Sequence, residues 1–121
     1  MSVREALLLR RRREFDERRR YLAKLELLGE RLQTDAEQLC AAIAQAGAAG
    51  GAVAAEPLIH REFKLSRSLD EIGQQIAAAR AAVAAAELQL RRHELAAMRG
   101  SSTSLVGRAA ARRFRSTPPR R

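Results

Sequence analysis

The sequence predicts an all-α fold: a long two-helix antiparallel coiled-coil hairpin with a disordered basic C-terminal tail. Three observations lead there. Aromatic residues make up only 3% of the 121-residue chain, and alanine supplies much of the 46% counted as hydrophobic. Alanine buries little area, and at roughly 25 cal/mol per Å² such a chain cannot build a thick core. It can build a thin seam between close-packed helices, and chains rich in Ala, Glu, Leu, Lys and Arg are typical of long helices and coiled coils. Second, apolar residues recur every seven positions over two long proline-free arms. Third, an Ala/Gly stretch, AQAGAAGGAVAAEP from Ala44 to Pro57, separates those arms.

The first arm, about residues 2–46, places Leu8, Phe15, Leu22, Gly29, Ala36 and Ile43 in one seven-residue series. Arg11, Arg18, Leu25, Leu32, Leu39 and Ala46 form a second, offset by three. Together they form the a and d positions of a heptad repeat, the pattern that needs a partner helix. The second arm, about residues 57–99, repeats the pattern with Leu69, Ile76, Val83, Leu90 and Ala97 at a, and Leu65, Ile72, Ala79, Ala86 and His93 at d. At 1.5 Å per residue, arms of about 45 residues each run roughly 65–70 Å.

Between them, residues 47–56 are expected to form the turn. Gly47, Gly50 and Gly51 supply the backbone freedom of a reversal, and Pro57 suits the first turn of the next helix. A register centred between Gly50 and Gly51 layers Phe15 with Ala86, Leu22 with Ala79, Leu25 with Ile76 and Gly29 with Ile72, so that large meets small. A slip of one heptad instead places Phe15 beside His93. The seam is satisfied within one chain, so a monomer is expected. Residues 1–100 thus form the predicted hairpin and 101–121 a flexible Arg-rich tail.

The formal charge of +9 is unevenly spread: six arginines and no acid lie in residues 100–121. Such a tail attracts polyanions, nucleic acid included, but a single aromatic, Phe114, offers no stacking platform for single strands. A basic nucleic-acid accessory protein and a self-assembling structural coiled coil are therefore the alternative readings. Cys40 is the only cysteine, without a CxxC partner, as in proteins of a reducing compartment. The short apolar run Ala6–Leu9 is not a signal-peptide core, and no membrane span is expected from the alanine-rich centre.

No catalytic constellation is legible. His60 and His93 lie 33 residues apart, whereas metal ligands on helices recur at i, i+3 or i+4. The expectation is a non-enzyme with no catalytic, cofactor or metal site and no small-molecule substrate. Partner-binding candidates are Arg10, Arg11, Arg12, Arg13 and Arg18, where two arginines occupy core-type d positions, and Phe63 with Leu69, Ile72 and Ile76. Phe63 falls at an outward b position. Arg11 and Arg18 are expected to snorkel past Leu90 and Val83 towards Glu87 and Glu94.

Two segments carry a family resemblance: REFKLSRSLDEIGQQI, Arg61 to Ile76, and LQLRRHELAAMRG, Leu88 to Gly100. With an Arg-rich first arm and a basic end, the layout resembles FliJ-type flagellar export proteins and their YscO-type injectisome counterparts. That resemblance implies a cytoplasmic component of the type III export apparatus, peripheral at the inner membrane and flagellar base. It implies protein partners: the export ATPase ring, the cytoplasmic domain of the export gate and export chaperones. Leu8–Arg20 with Leu88–Arg99 would then enter the ATPase ring, and Phe63 with Leu69, Ile72 and Ile76 would meet the gate.

Overall fold

The computed structural model describes the backbone of residues 2–116 and the side chains of residues 2–100. It is all-helical. One helical run extends over Val3–Ser116, interrupted at a single residue, Gly51, whose φ of 74° and ψ of −166° are not helical. Residues 101–116, expected to belong to a flexible tail, continue the helix; their side chains, and residues 117–121, lie outside the described residues.

The helix opens with a capping box that the sequence spells as Ser-Val-Arg-Glu. The Glu5 amide donates to Ser2 Oγ at 3.1 Å, and the Ser2 amide donates back to Glu5 Oε2 at 3.4 Å. Two amide groups that a helix start leaves without partners are satisfied reciprocally.

The predicted ten-residue turn is replaced by a one-residue break. Gly47 and Gly50 are helical, and helix resumes at Ala52. The physical reason is alanine, the best helix former, which carries both helices up to the break. Two glycines there are indispensable for different reasons. Gly51 sits in a region of positive φ and extended ψ that is essentially closed to residues with a Cβ. A Cβ added to Gly50 would lie 2.7 Å from Ala54 Cβ, a rigid atom that cannot swing away. Pro57 is likewise displaced from its expected role. It lies inside the resumed helix, past its first turn, where it withholds the amide that would bond to the carbonyl of Val53.

By Cα packing the chain forms two compact units, one of residues 16–84 and one of residues 1–15 with 85–121. In the first, Leu25, Ile72 and Ala79 form a buried cluster, with Leu22, Leu32, Leu69 and Ile76 packed against it. A straight helix would hold Leu25 and Ile72 roughly 70 Å apart, so the two sides of Gly51 lie against each other in this unit. Glu26 Oε1 and Arg80 Nε meet at 3.5 Å across the same contact. In the second unit, Arg12 Nη2 reaches Glu94 Oε1 at 3.7 Å, and the Arg4 guanidinium lies over the backbone of Gly100.

The heptad reading is followed closely. Of its a and d positions on both arms, only Arg18 is exposed. The repeat also reaches further back than predicted, through Glu62, Leu58 and Ala55, of which Ala55 is buried just beyond the break. Gly29 borders the same groove as Ile72 and Ile76, and Ile76 Cδ1 lies 3.2 Å from a Cβ built at Gly29. A branched side chain takes the space that only a missing Cβ leaves, the close fit that interior packing demands.

Within Val3–Gly100 there is a helical stretch long and apolar enough, by length and composition, to cross a membrane, and it is largely exposed.

These glycines separate cleanly by substitution. Gly51→Ala should lower stability by about 1–3 kcal/mol. Gly47→Ala and Gly73→Ala, where an added Cβ meets nothing within 4 Å, should each raise it by about 0.5–1 kcal/mol. Thermal unfolding followed by circular dichroism reads all three; a stabilising Gly51→Ala would contradict the assignment of the break.

Candidate interaction surfaces

The arginine cluster of the first arm belongs to both units, and each part has its own surroundings. In the unit of residues 1–15 and 85–121, Arg10 and Arg13 are exposed. Arg10 Nε lies 4.0 Å from Glu14 Oε1, and Arg11 donates from Nη1 to Glu14 Oε2 at 3.1 Å. Arg12 pairs with Glu94. The expected snorkelling of Arg11 towards Glu87 or Glu94 is therefore corrected: Glu94 serves Arg12, and Glu87 accepts from Arg91 Nη2 at 2.7 Å. Arg11 turns instead to its own helix, where Glu14 lies one turn away.

That solution leaves a defect. Arg11 is half-buried at a d position, and its Nε is buried without a hydrogen-bond acceptor. A buried donor without a partner costs about 1–3 kcal/mol. The seam of this unit is thus loosened at Arg11 in a way that a leucine there would not loosen it.

In the unit of residues 16–84, Arg18 is exposed despite its d position. It borders an open groove of about 450 Å³, with Tyr21 on one wall and Ala78, Ala79 and Ala82 on the other. Small alanine side chains opposite a tyrosine produce that hollow, because they fill less than the leucines used elsewhere in the seam. Tyr21 is 56% exposed, and sequence reasoning did not single it out. Its g position beside the Ala-rich segment 77–86 was the available signal.

The second predicted group divides. Ile72 is buried at 7% exposure, and Leu69 and Ile76 are packed against it, so all three are seam residues committed to holding the fold. Phe63 is 61% exposed and stands apart from them, as its b position predicts. Ile59, one turn before it, is also exposed.

The titratable residues outside these groups offer little chemistry. His60 is exposed and His93 half-buried in the seam. Among the described residues no three of His, Cys, Asp and Glu gather where a metal ion could be held. The exposed Cys40 donates its thiol hydrogen to Glu62 Oε1 at 3.6 Å. Local loss of solvation, then the Glu62 charge, then that hydrogen bond all push the thiol above its ordinary value. A raised value keeps sulfur protonated, the unreactive form.

Comparison with protein-family models, with curated proteins and with solved structures finds no match.

Two substitutions test this description. Glu62→Gln removes the charge that opposes thiolate formation, so alkylation of Cys40 near neutral pH should speed up; an unchanged rate would mean the carboxylate does not govern the thiol. Arg11→Leu removes the buried unpaired Nε and should stabilise the chain by about 1–3 kcal/mol in denaturant unfolding.

Proposed function

We propose that the chain is an antiparallel two-helix coiled-coil hairpin that works without catalysis, as a protein-binding component of a FliJ-type flagellar (type III) export apparatus. The observation that carries the architectural part is the pairing across Gly51. Glu26 with Arg80 and Arg12 with Glu94 both join an e position of the first arm to an e position of the second. Within each unit, such an e-to-e pair of opposite charges is the contact that flanks the seam of two coiled-coil helices.

Support for the export role is the resemblance of Arg61–Ile76 and Leu88–Gly100 to that family. Two surfaces agree with it in kind. The Arg10–Arg13 cluster, whose seam is loosened by Arg11, is the proposed contact with the export ATPase ring. Phe63, outward and free of the seam, is the proposed contact with the export gate; Leu69, Ile72 and Ile76 support the helix that presents it. Export chaperones are further proposed partners, and the proposed location is cytoplasmic, peripheral at the inner membrane and flagellar base.

The test is a pull-down with purified export ATPase and gate cytoplasmic domain. Charge reversal of Arg10–Arg13 to Glu should abolish ATPase capture, and Phe63→Ala should weaken gate capture about tenfold or more, as loss of a central aromatic anchor does. ATPase binding that survives the charge reversal would sink the first assignment. Gate binding indifferent to Phe63→Ala would sink the second.

A further inference from the structure

We propose that the outward face of residues 85–100 is a docking surface for an anionic lipid bilayer. This goes beyond the export reading and does not depend on it.

The helix here is apolar on two opposite sides. One side is the seam, where Ala86, Leu90, His93 and Ala97 are buried or half-buried. The other side carries Leu88, Leu95 and Met98, at 51%, 52% and 68% exposure. Their spacings of seven and three put them on one face, turned away from the seam. Large apolar side chains aligned on a solvated face, rather than scattered singly, mark a contact surface.

Charge says what that contact is. Arg91, Arg92 and Arg99 share the same face and are exposed. Arg91 holds Glu87 at 2.7 Å; among the described residues no carboxylate lies within ion-pair distance of Arg92 or Arg99. The imbalance extends to the whole unit. By sequence, residues 1–15 with 85–121 hold fourteen arginines against four acids, while residues 16–84 hold nine Lys or Arg against ten acids. All four acids of the basic unit are engaged internally: Glu5 in the helix cap, Glu14 with Arg10 and Arg11, Glu87 with Arg91, Glu94 with Arg12.

Those cations are all arginine, whose planar fork matches phosphate oxygens two at a time. Interleaved leucine and methionine separate the two kinds of phosphate surface. They gain nothing from a nucleic-acid backbone, but they enter the headgroup–acyl boundary of a bilayer while the arginine stems extend to the phosphates. A helix lying on the membrane by this face would keep its seam side packed against the first arm.

The full chain should float with vesicles of phosphatidylcholine containing phosphatidylglycerol and not with phosphatidylcholine alone. Each arginine near an anionic surface is worth about a fivefold change in binding, so the triple variant Arg91→Gln, Arg92→Gln, Arg99→Gln should bind on the order of a hundredfold more weakly. The variant Leu88→Ser, Leu95→Ser, Met98→Ser should also lose at least about tenfold. Leu27→Ser with Leu28→Ser, exposed leucines of the other unit, should bind as the unaltered chain does. Helical circular dichroism identifies any variant that fails to fold, and the arginine and apolar triples test the face separately. Absence of flotation with anionic vesicles overturns the proposal, and with it favours an acidic protein as the occupant. Flotation that survives both triples and is lost only on deleting residues 101–121 overturns it too. So does loss of vesicle binding in the arginine triple alone, with duplex DNA bound in parallel: that is a general polyanion site.

Discussion

The backbone of Gly51 is the constraint on which the rest depends. A chain this poor in large apolar side chains has no core to fall back on, and each arm alone exposes its stripe of leucine and isoleucine. The seam of residues 16–84 exists because the helix breaks at one point and lets Leu25 meet Ile72 and Ala79. Holding φ at 74° with ψ at −166° is possible there because nothing replaces the missing Cβ. Gly50 contributes differently, as the place where the next turn of helix comes too close for a side chain. The alanines around them take no part in the bend. They carry helix to its edge on both sides, which is why the break is so short.

Much of this is legible in the residues themselves. The a and d series predicted which side chains turn inwards, and the exposed Arg18 is the lone departure. Arginine at such a position does what its chemistry favours: its long side chain leaves the seam for water, whereas its neighbour in the series, Arg11, is caught half-buried beside Glu14. What the sequence concealed has identifiable causes. The turn looked ten residues long because glycine is permissive rather than obligatory, and permissive residues can also be helical, as Gly47 is. Pro57 read as a helix start because proline usually marks one, while here the alanine run begins helix earlier and absorbs the lost hydrogen bond. Heptads fix which residues face inwards and leave the sliding of one helix along the other to details of size and charge. Ile76 over Gly29 and Glu26 with Arg80 are those details.

The interaction surfaces were legible to a smaller degree. Phe63 stands clear because a b position points away whatever the register. Leu69 and Ile76, by contrast, belong to the packing that surrounds the buried Ile72, so a partner meeting Phe63 would find them as support rather than as contact. Tyr21 and the alanine groove became visible only when a small-residue segment was brought opposite it. The outward leucines 88 and 95 and Met98 were obscured by the seam residues between them, since a helix apolar on two sides shows no single clean stripe. Opposite charges at e positions, Arg12 with Glu94 and Glu26 with Arg80, were present in the sequence as separate residues and acquired meaning only as pairs.

The account stands or falls on whether the two sides of Gly51 meet within one molecule. The most direct measurement is the distance between spin labels at positions 30 and 70, both exposed and both in the unit of residues 16–84, in a Cys40→Ser background diluted with unlabelled chain. The account predicts a distance on the order of 20–25 Å, about two helix diameters, unchanged by dilution. A distance near roughly 60 Å, the rise of forty helical residues, or a short distance that vanishes on dilution, would show helices that pair only between molecules and would contradict it.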